Sequence, residues 1–374
     1  MYNPFYLRVL PVDAPFCNRA KELDELTSHA RNKANVVLFS PRRYGKTSLV
    51  KRVQERVKKD GVVTIYVDFL GIDSVEDLTS RIASRFYAYS YGKDPLLKKA
   101  MRALGAWRPV IRPDPEYGIS VSVERVSQQR GIDLLNETLE NFGSVIQGSK
   151  SGVHVVFDEF QEIVELPESM KVEGLLRGHI QTHSRASYFF VGSRRRVLSD
   201  MFNLRKRPFY RSAITLSLSP LPQEDSLLFI QEQFKRGGKT CPDEIARKII
   251  EKAEGYPYYL QRMPYAIFEV SGGKVNENDL IQGVQKTLDE EGTLFEAMLR
   301  GLSLQQIRLI SALACESTET PFSLKYMGKH GLGSIGGVQG AMKRLLELDY
   351  IEKKDGAYKV VDPVFSIWLR HLKK

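Results

Sequence analysis

Cysteine is nearly missing from this chain: Cys17, Cys241 and Cys315 are the whole complement in 374 residues, far apart and in no metal-ligand spacing. A disulfide framework and a thiolate zinc site are thereby excluded. Long hydrophobic runs are missing as well. No window approaches the roughly 18 uncharged apolar residues of a membrane span, and residues 1–15 lack the apolar core of a secretion signal. A cytoplasmic protein with no membrane partner is the expectation. Histidine is sparse. Only His179 and His183 stand four apart on an expected helix, and with no glutamate or third ligand beside them a metal role is unsupported. The two tryptophans, Trp107 and Trp368, read as packing anchors.

Basic charge, by contrast, is in excess, at a net +10, and it is unevenly spread. Between Arg185 and Arg211 eight basic side chains face one acid, Asp200; from Arg300 onward twelve face seven. Each segment reads either as a solvated face or as a surface near a polyanion. The length exceeds one typical domain and suffices for at least one large core.

The densest chemistry lies at Ser40-Pro41-Arg42-Arg43-Tyr44-Gly45-Lys46-Thr47, preceded by apolar Val36 to Phe39 and followed by helix-compatible residues. This is a strand, a phosphate loop and a helix. Backbone N–H groups and the positive end of the helix cradle a β-phosphate, Lys46 reaches the β/γ oxygens, and the Thr47 hydroxyl holds Mg²⁺. Ser40 replaces the usual first glycine, while Gly45 stands where backbone lies against phosphate. About a hundred residues on, Val153 to Phe157 is a short apolar run ending in Asp158-Glu159. A buried parallel strand delivers two carboxylates at its C-terminal edge, where open α/β sheets bind ligands. Asp158 belongs in the Mg²⁺ shell, and Glu159 polarises the water attacking the γ-phosphate.

The pattern elsewhere predicts a helix beginning over Phe16 to Leu26, a helix over Ser48 to Lys58, a strand over Val62 to Phe69 and a helix over Ser74 to Tyr89. Residues 92–127 break that rhythm with four prolines and the alternating Ile119 to Val123, which reads as a β-hairpin arm. Helices over Asp133 to Phe142 and Glu173 to His183, and strands over Tyr188 to Val191 and Ile214 to Leu218, complete an α/β domain over 1–221. A helical domain over 222–299 follows. Residues 300–374 read as a winged helix: helices over Leu304 to Cys315, Leu324 to Lys329 and Gly337 to Leu348, then a hairpin turning at Asp355-Gly356. The helix over Gly337 to Leu348, the second of the helix-turn-helix pair, exposes Gln339, Lys343 and Arg344, and the hairpin carries Lys353 and Lys354; these are the candidate contacts to double-stranded DNA, with a protein-docking or autoinhibitory role as the alternative.

Several motifs occur in order. They are Phe16-x-x-Arg19-x-x-Glu22-Leu23, the loop through Ser48-Leu49, Phe157-Asp158-Glu159-Phe160-Gln161, Val191-Gly192-Ser193, Arg207-Pro208-Phe209-Tyr210 and Gly255-x-Pro257-x-x-x-Gln261. Over nearly the whole chain this resembles the archaeal-type ATPase family, AAA+-like P-loop proteins related to the STAND ATPases. The resemblance implies a P-loop parallel sheet with an all-α lid and a C-terminal winged helix. It implies ATP/ADP and Mg²⁺ as ligands, Phe16 and Arg19 beside the adenine, Ser193 as γ-phosphate sensor, and Tyr256 and Pro257 of the lid against base and ribose. Relatives carry Tyr-Gly-Arg where this chain reads Tyr210-Arg211-Ser212, so an arginine finger is open between Arg207, Arg211 and the run Arg194 to Arg196. The expected activity is that of an ATP-hydrolysing switch. The alternative is a DNA-binding regulator or signalling scaffold that uses ATP as a structural ligand.

Overall fold

The computed structural model describes residues 2–11, 14–90, 106–114, 118–126, 128–149 and 151–372. Much of the sequence-breaking segment at 92–127 lies outside the described residues. The chain divides into two units: Arg19–Ser40 with Lys46–Leu218, and Met1–Asn18 with Pro41–Gly45 and Ser219–Lys374.

The first unit is α/β. Its elements are α1 (Ala20–Arg31), β1 (Val36–Phe39), α2 (Lys46–Lys59), β2 (Val63–Asp68), α3 (Val75–Ser90), the hairpin β3 (Trp107–Asp114) and β4 (Gly118–Arg125), α4 (Gly131–Gly148), β5 (Val153–Asp158), a 3₁₀ turn (Phe160–Glu165), α5 (Ser169–Thr182), β6 (Ala186–Gly192), α6 (Arg195–Asn203) and β7 (Ile214–Ser217). Five parallel strands form one sheet in the order β2-β5-β6-β1-β7. Both β5 and β6 are buried along their full length, which is why they read as continuous apolar runs rather than alternating ones. Strand β6 separates β1 from β5, so the ends of β1 and β5 flank whatever β6 delivers. Behind that edge, Phe160 packs against Phe190 at 4.7 Å and Phe209 at 5.3 Å between ring centroids, fixing the turn that follows β5.

The expected hairpin arm is present. Pro109 and Pro113 are tolerated because the two-stranded sheet consists of edges alone. Its base is anchored: Trp107 Nε1 donates to Thr138 Oγ1 at 2.8 Å, and the Tyr87 hydroxyl donates to the Trp107 carbonyl at 3.0 Å. Helix α1 starts four residues later than the sequence suggests. Asn18 is left-handed (φ 22°) and Arg19 is non-helical (φ −163°, ψ 21°), so the chain turns before the helix begins.

The second unit contains α7 (Gln223–Arg236), α8 (Asp243–Ala253), α9 (Tyr259–Val270), α10 (Glu277–Arg300), α11 (Leu304–Cys315), α12 (Leu324–His330), α13 (Ile335–Glu347), β8 (Ile351–Lys354), β9 (Ala357–Val360) and α14 (Pro363–His371). Ser303, Ser323 and Ser334 cap α11, α12 and α13 through their side chains. Asp355 and Gly356 are both left-handed, as the tight hairpin turn requires. The N-terminal segment belongs to this unit: Phe5 is buried against Phe234, and Asn3 Nδ2 donates to the Tyr265 carbonyl at 3.1 Å. Buried Lys239 closes the end of α9, donating from Nζ to the Phe268 and Ser271 carbonyls.

Candidate nucleotide site

In the phosphate loop, Arg43 (φ 63°) and Gly45 (φ 82°) are both left-handed. A Cβ at Gly45 would meet nothing within 4 Å, so the glycine is demanded by backbone conformation rather than by crowding. Lys46 is buried and folds back on the loop, its Nζ donating to the Ser40 carbonyl at 2.9 Å. Ser40 is fully buried, with no partner for its hydroxyl among the described residues. Ser48 is buried in the first turn of α2.

At the start of α2, Thr47 Oγ1 donates to Asp158 Oδ2 at 2.8 Å, and the Tyr66 hydroxyl donates to the same oxygen at 2.5 Å. The Glu159 amide closes on Asp158 Oδ1 at 3.0 Å. Burial raises the Asp158 carboxyl above its ordinary range, and the Tyr66 and Thr47 hydrogen bonds oppose that rise. Burial, then the Asp158 charge, lifts the Tyr66 phenol far above its usual value, so it stays a donor. Sequence reasoning missed Tyr66. Its signal was positional, because Tyr66 lies two residues before Asp68, the register partner of Asp158, and so shares that face.

Glu159 has left-handed backbone (φ 50°), which turns its side chain out of the strand. Its Oε2 accepts from Gln161 Nε2 at 2.5 Å and from Ser193 Oγ, at the end of β6, at 2.9 Å. The sensor candidate is therefore hydrogen-bonded to the base candidate.

The arginine candidates separate. Arg207 forms an ion pair with Glu173 of α5, a fully buried carboxylate, and Arg194 pairs with Glu165 at 2.5 Å. Arg211 is exposed, with left-handed backbone and the Tyr210 ring 5.3 Å from its guanidinium. His179 bonds Asn136 and His183 bonds the Tyr188 hydroxyl; no cluster of potential metal ligands occurs among the described residues. Arg19 is buried and pairs with Glu22 at 2.6 Å.

Within the second unit, loop residues 41–45 pack on the start of α9. Tyr256 donates from its hydroxyl to the Arg42 carbonyl at 2.5 Å and sets its ring edge-on to Tyr44 at 4.6 Å. Arg43 lies 4.2 Å over the Tyr258 ring and bonds Glu291 Oε2 at 2.9 Å. Gly255 is left-handed and presses on the chain: a Cβ there would sit 2.6 Å from the Leu221 carbonyl. Pro257 and Phe16 are half-buried. In the winged helix, Gln339, Lys343 and Arg344 are exposed on α13, and Lys353 and Lys354 on the hairpin.

Residues 16–263 match the family model described as an ATPase domain predominantly from Archaea. The chain belongs to this archaeal ATPase family. Residues 293–371 match a model described as a "Probable winged helix domain". Among solved structures, the Walker-type ATPase PABY2304 of Pyrococcus abyssi is 17% identical with TM-score 0.72, over 98% of this chain and 99% of that one. The Aeropyrum pernix ORC2 protein, solved as ADPNP-ADP complexes, is 14% identical with TM-score 0.62 over 98% of both chains. The Aeropyrum pernix ORC1 protein, solved in complex with DNA, is 14% identical with TM-score 0.52, over 97% and 95%. No curated protein matches the sequence. The family's α/β P-loop fold with a C-terminal winged helix is thus the fold of this chain. Among the described residues, no helix is long and apolar enough to cross a membrane.

Proposed function

We propose that this archaeal-family ATPase binds ATP with Mg²⁺ at Ser40 to Thr47 and hydrolyses it to ADP and phosphate, working as a nucleotide switch. The observation that carries the reading is the paired delivery of Asp158 and Glu159 at the C-terminal edge of β5, with the Thr47 hydroxyl 2.8 Å from Asp158. A hydroxyl and a buried carboxylate are hard oxygen donors of the kind Mg²⁺ takes alongside phosphate and water. Thr47 and Asp158 would hold the ion, which supplies charge neutralisation at the β/γ oxygens when bound. Lys46 exchanges the Ser40 carbonyl for phosphate oxygens. Glu159 takes the proton of the attacking water. Ser193 orients the same carboxylate.

The test separates binding from chemistry. Lys46→Ala is expected to abolish ATP binding by calorimetry. Glu159→Gln is expected to keep binding and lower turnover by about 10²–10⁴. Unchanged affinity in the first, or equal loss of binding in the second, overturns the assignment. A binding-only protein, the structural-ligand alternative, would bind ATP normally with no turnover to lose.

A second reading concerns the winged helix. The exposed set Gln339, Lys343, Arg344, Lys353 and Lys354 favours double-stranded DNA as its ligand, a phosphate-dominated contact with Gln339 as the base reader.

A further inference from the structure

Gln161 is the most completely buried polar side chain touching the carboxylates, with no measurable exposure, yet it performs none of the roles assigned above. Its Nε2 donates to Glu159 Oε2 at 2.5 Å, while its own Oε1 is buried without a partner. Turning the amide over would set two oxygens against each other at that distance, so the donor must face Glu159. An orphaned buried amide oxygen is destabilising. The side chain is kept in place by what Nε2 does rather than by its own satisfaction. Gly192 makes the room: a Cβ there would lie 1.9 Å from Gln161 Oε1. With Ser193 bonding the same oxygen, Oε2 of Glu159 is held from two sides, and Oε1 takes no hydrogen bond from any described residue.

We infer that Gln161 is a positioning residue for Glu159: it fixes Oε2 so that Oε1 is the oxygen that takes the water proton. The inference rests on the hydrolytic reading of this site and adds a residue to it. Holding a base within the tolerance of an in-line attack is worth about 10²-fold per ångström of misplacement, and two donors on one carboxylate oxygen fix both its distance and its rotation.

The experiment measures kcat, KM and ATP affinity for wild type, Glu159→Gln, Gln161→Met and the double variant Glu159→Gln/Gln161→Met. Methionine keeps the volume and removes the donor. Gln161→Met is expected to lower kcat by about 10²-fold with ATP affinity unchanged, and to add little to Glu159→Gln, because both act on one carboxylate. A second variant, Gln161→Glu, donates only when its carboxyl is protonated, so its kcat relative to wild type is expected to rise as pH falls. A kcat for Gln161→Met that is unchanged or raised, while Glu159→Gln is slow, overturns the inference and leaves the hydrolytic reading standing. A wild type with no turnover overturns that reading. The inference falls with it, and the ¹³C carboxyl signal of Glu159 then reports the contact alone: an unmoved signal on Gln161→Met overturns the positioning of Glu159 by Gln161 as well.

Discussion

At the scale of single residues, Asp158 is where the hydroxyl that opens α2 and the phenol of β2 meet. Its Oδ2 accepts from both Thr47 and Tyr66 and its Oδ1 from the following amide, at 4% exposure. Removing the phenol with Tyr66→Phe leaves a buried carboxylate with one donor fewer. A loss of about 1–3 kcal/mol in unfolding free energy is expected, read by urea titration, together with a higher Mg²⁺ requirement for turnover; an unchanged midpoint and Mg²⁺ dependence would remove Tyr66 from the site. The sequence nominates Lys46, Thr47, Asp158 and Glu159 because a phosphate loop and a strand-terminal acid pair are patterns of local spacing, and the structure brings Thr47 onto Asp158. It does not nominate Tyr66 and Gln161, for a physical reason. Their contacts depend on which strand lies beside β5 and on the 3₁₀ turn after it, neither of which local periodicity encodes.

Among elements, α5 carries the clearest pH consequence. Glu173, fully buried on α5, has its carboxyl pushed up to about 7 by burial, with Arg207 pulling it back. Because the folded value lies above the ordinary 4.5, this group stabilises the fold fully below pH 4.5, and that contribution is lost as pH rises to about 7. The slope is at most about 1.4 kcal/mol per pH unit. Glu173→Gln is expected to flatten the fall in Tm across this window while keeping a hydrogen-bond partner for Arg207; an equal slope in wild type and variant would show that Glu173 titrates normally. The same pair limits what the sequence conveyed about Arg207, which looks like a free cation in a basic run until its partner on α5 is known. Helix α6 was hidden by that run too, although Leu198, Met201 and Phe202 form its buried stripe. Helix α14 was overlooked despite a readable start, Asp362 capping and Pro363 in the first turn.

For the whole molecule, the second unit is assembled from three separate stretches of chain, with residues 1–18 and loop residues 41–45 joined to the C-terminal helices and the winged helix. The sequence reads that C-terminal stretch as two domains, 222–299 and 300–374, on the local signals of its caps and hairpin turn; the contribution of Phe5 and Tyr44 is made by tertiary packing on α7 and on Tyr256 just before α9. The charge excess of that C-terminal stretch leads to the last prediction. Lys343, Arg344, Lys353 and Lys354 are exposed, though Arg344 lies 3.5 Å from Glu347. If all four neutralise DNA phosphates, log K for a duplex falls against log[salt] with a slope of about −3.6, at about −0.9 per contact. Reversing Lys343 and Arg344 to glutamate is then expected to weaken binding to every sequence alike and to shrink the slope by about half, with ATP turnover in the absence of DNA unchanged. Binding that survives this reversal and disappears when Arg194, Arg195 and Arg196 are neutralised would assign the nucleic-acid surface to the α/β unit. No binding at low salt with either nucleotide would leave the exposed face of α13 to a protein partner.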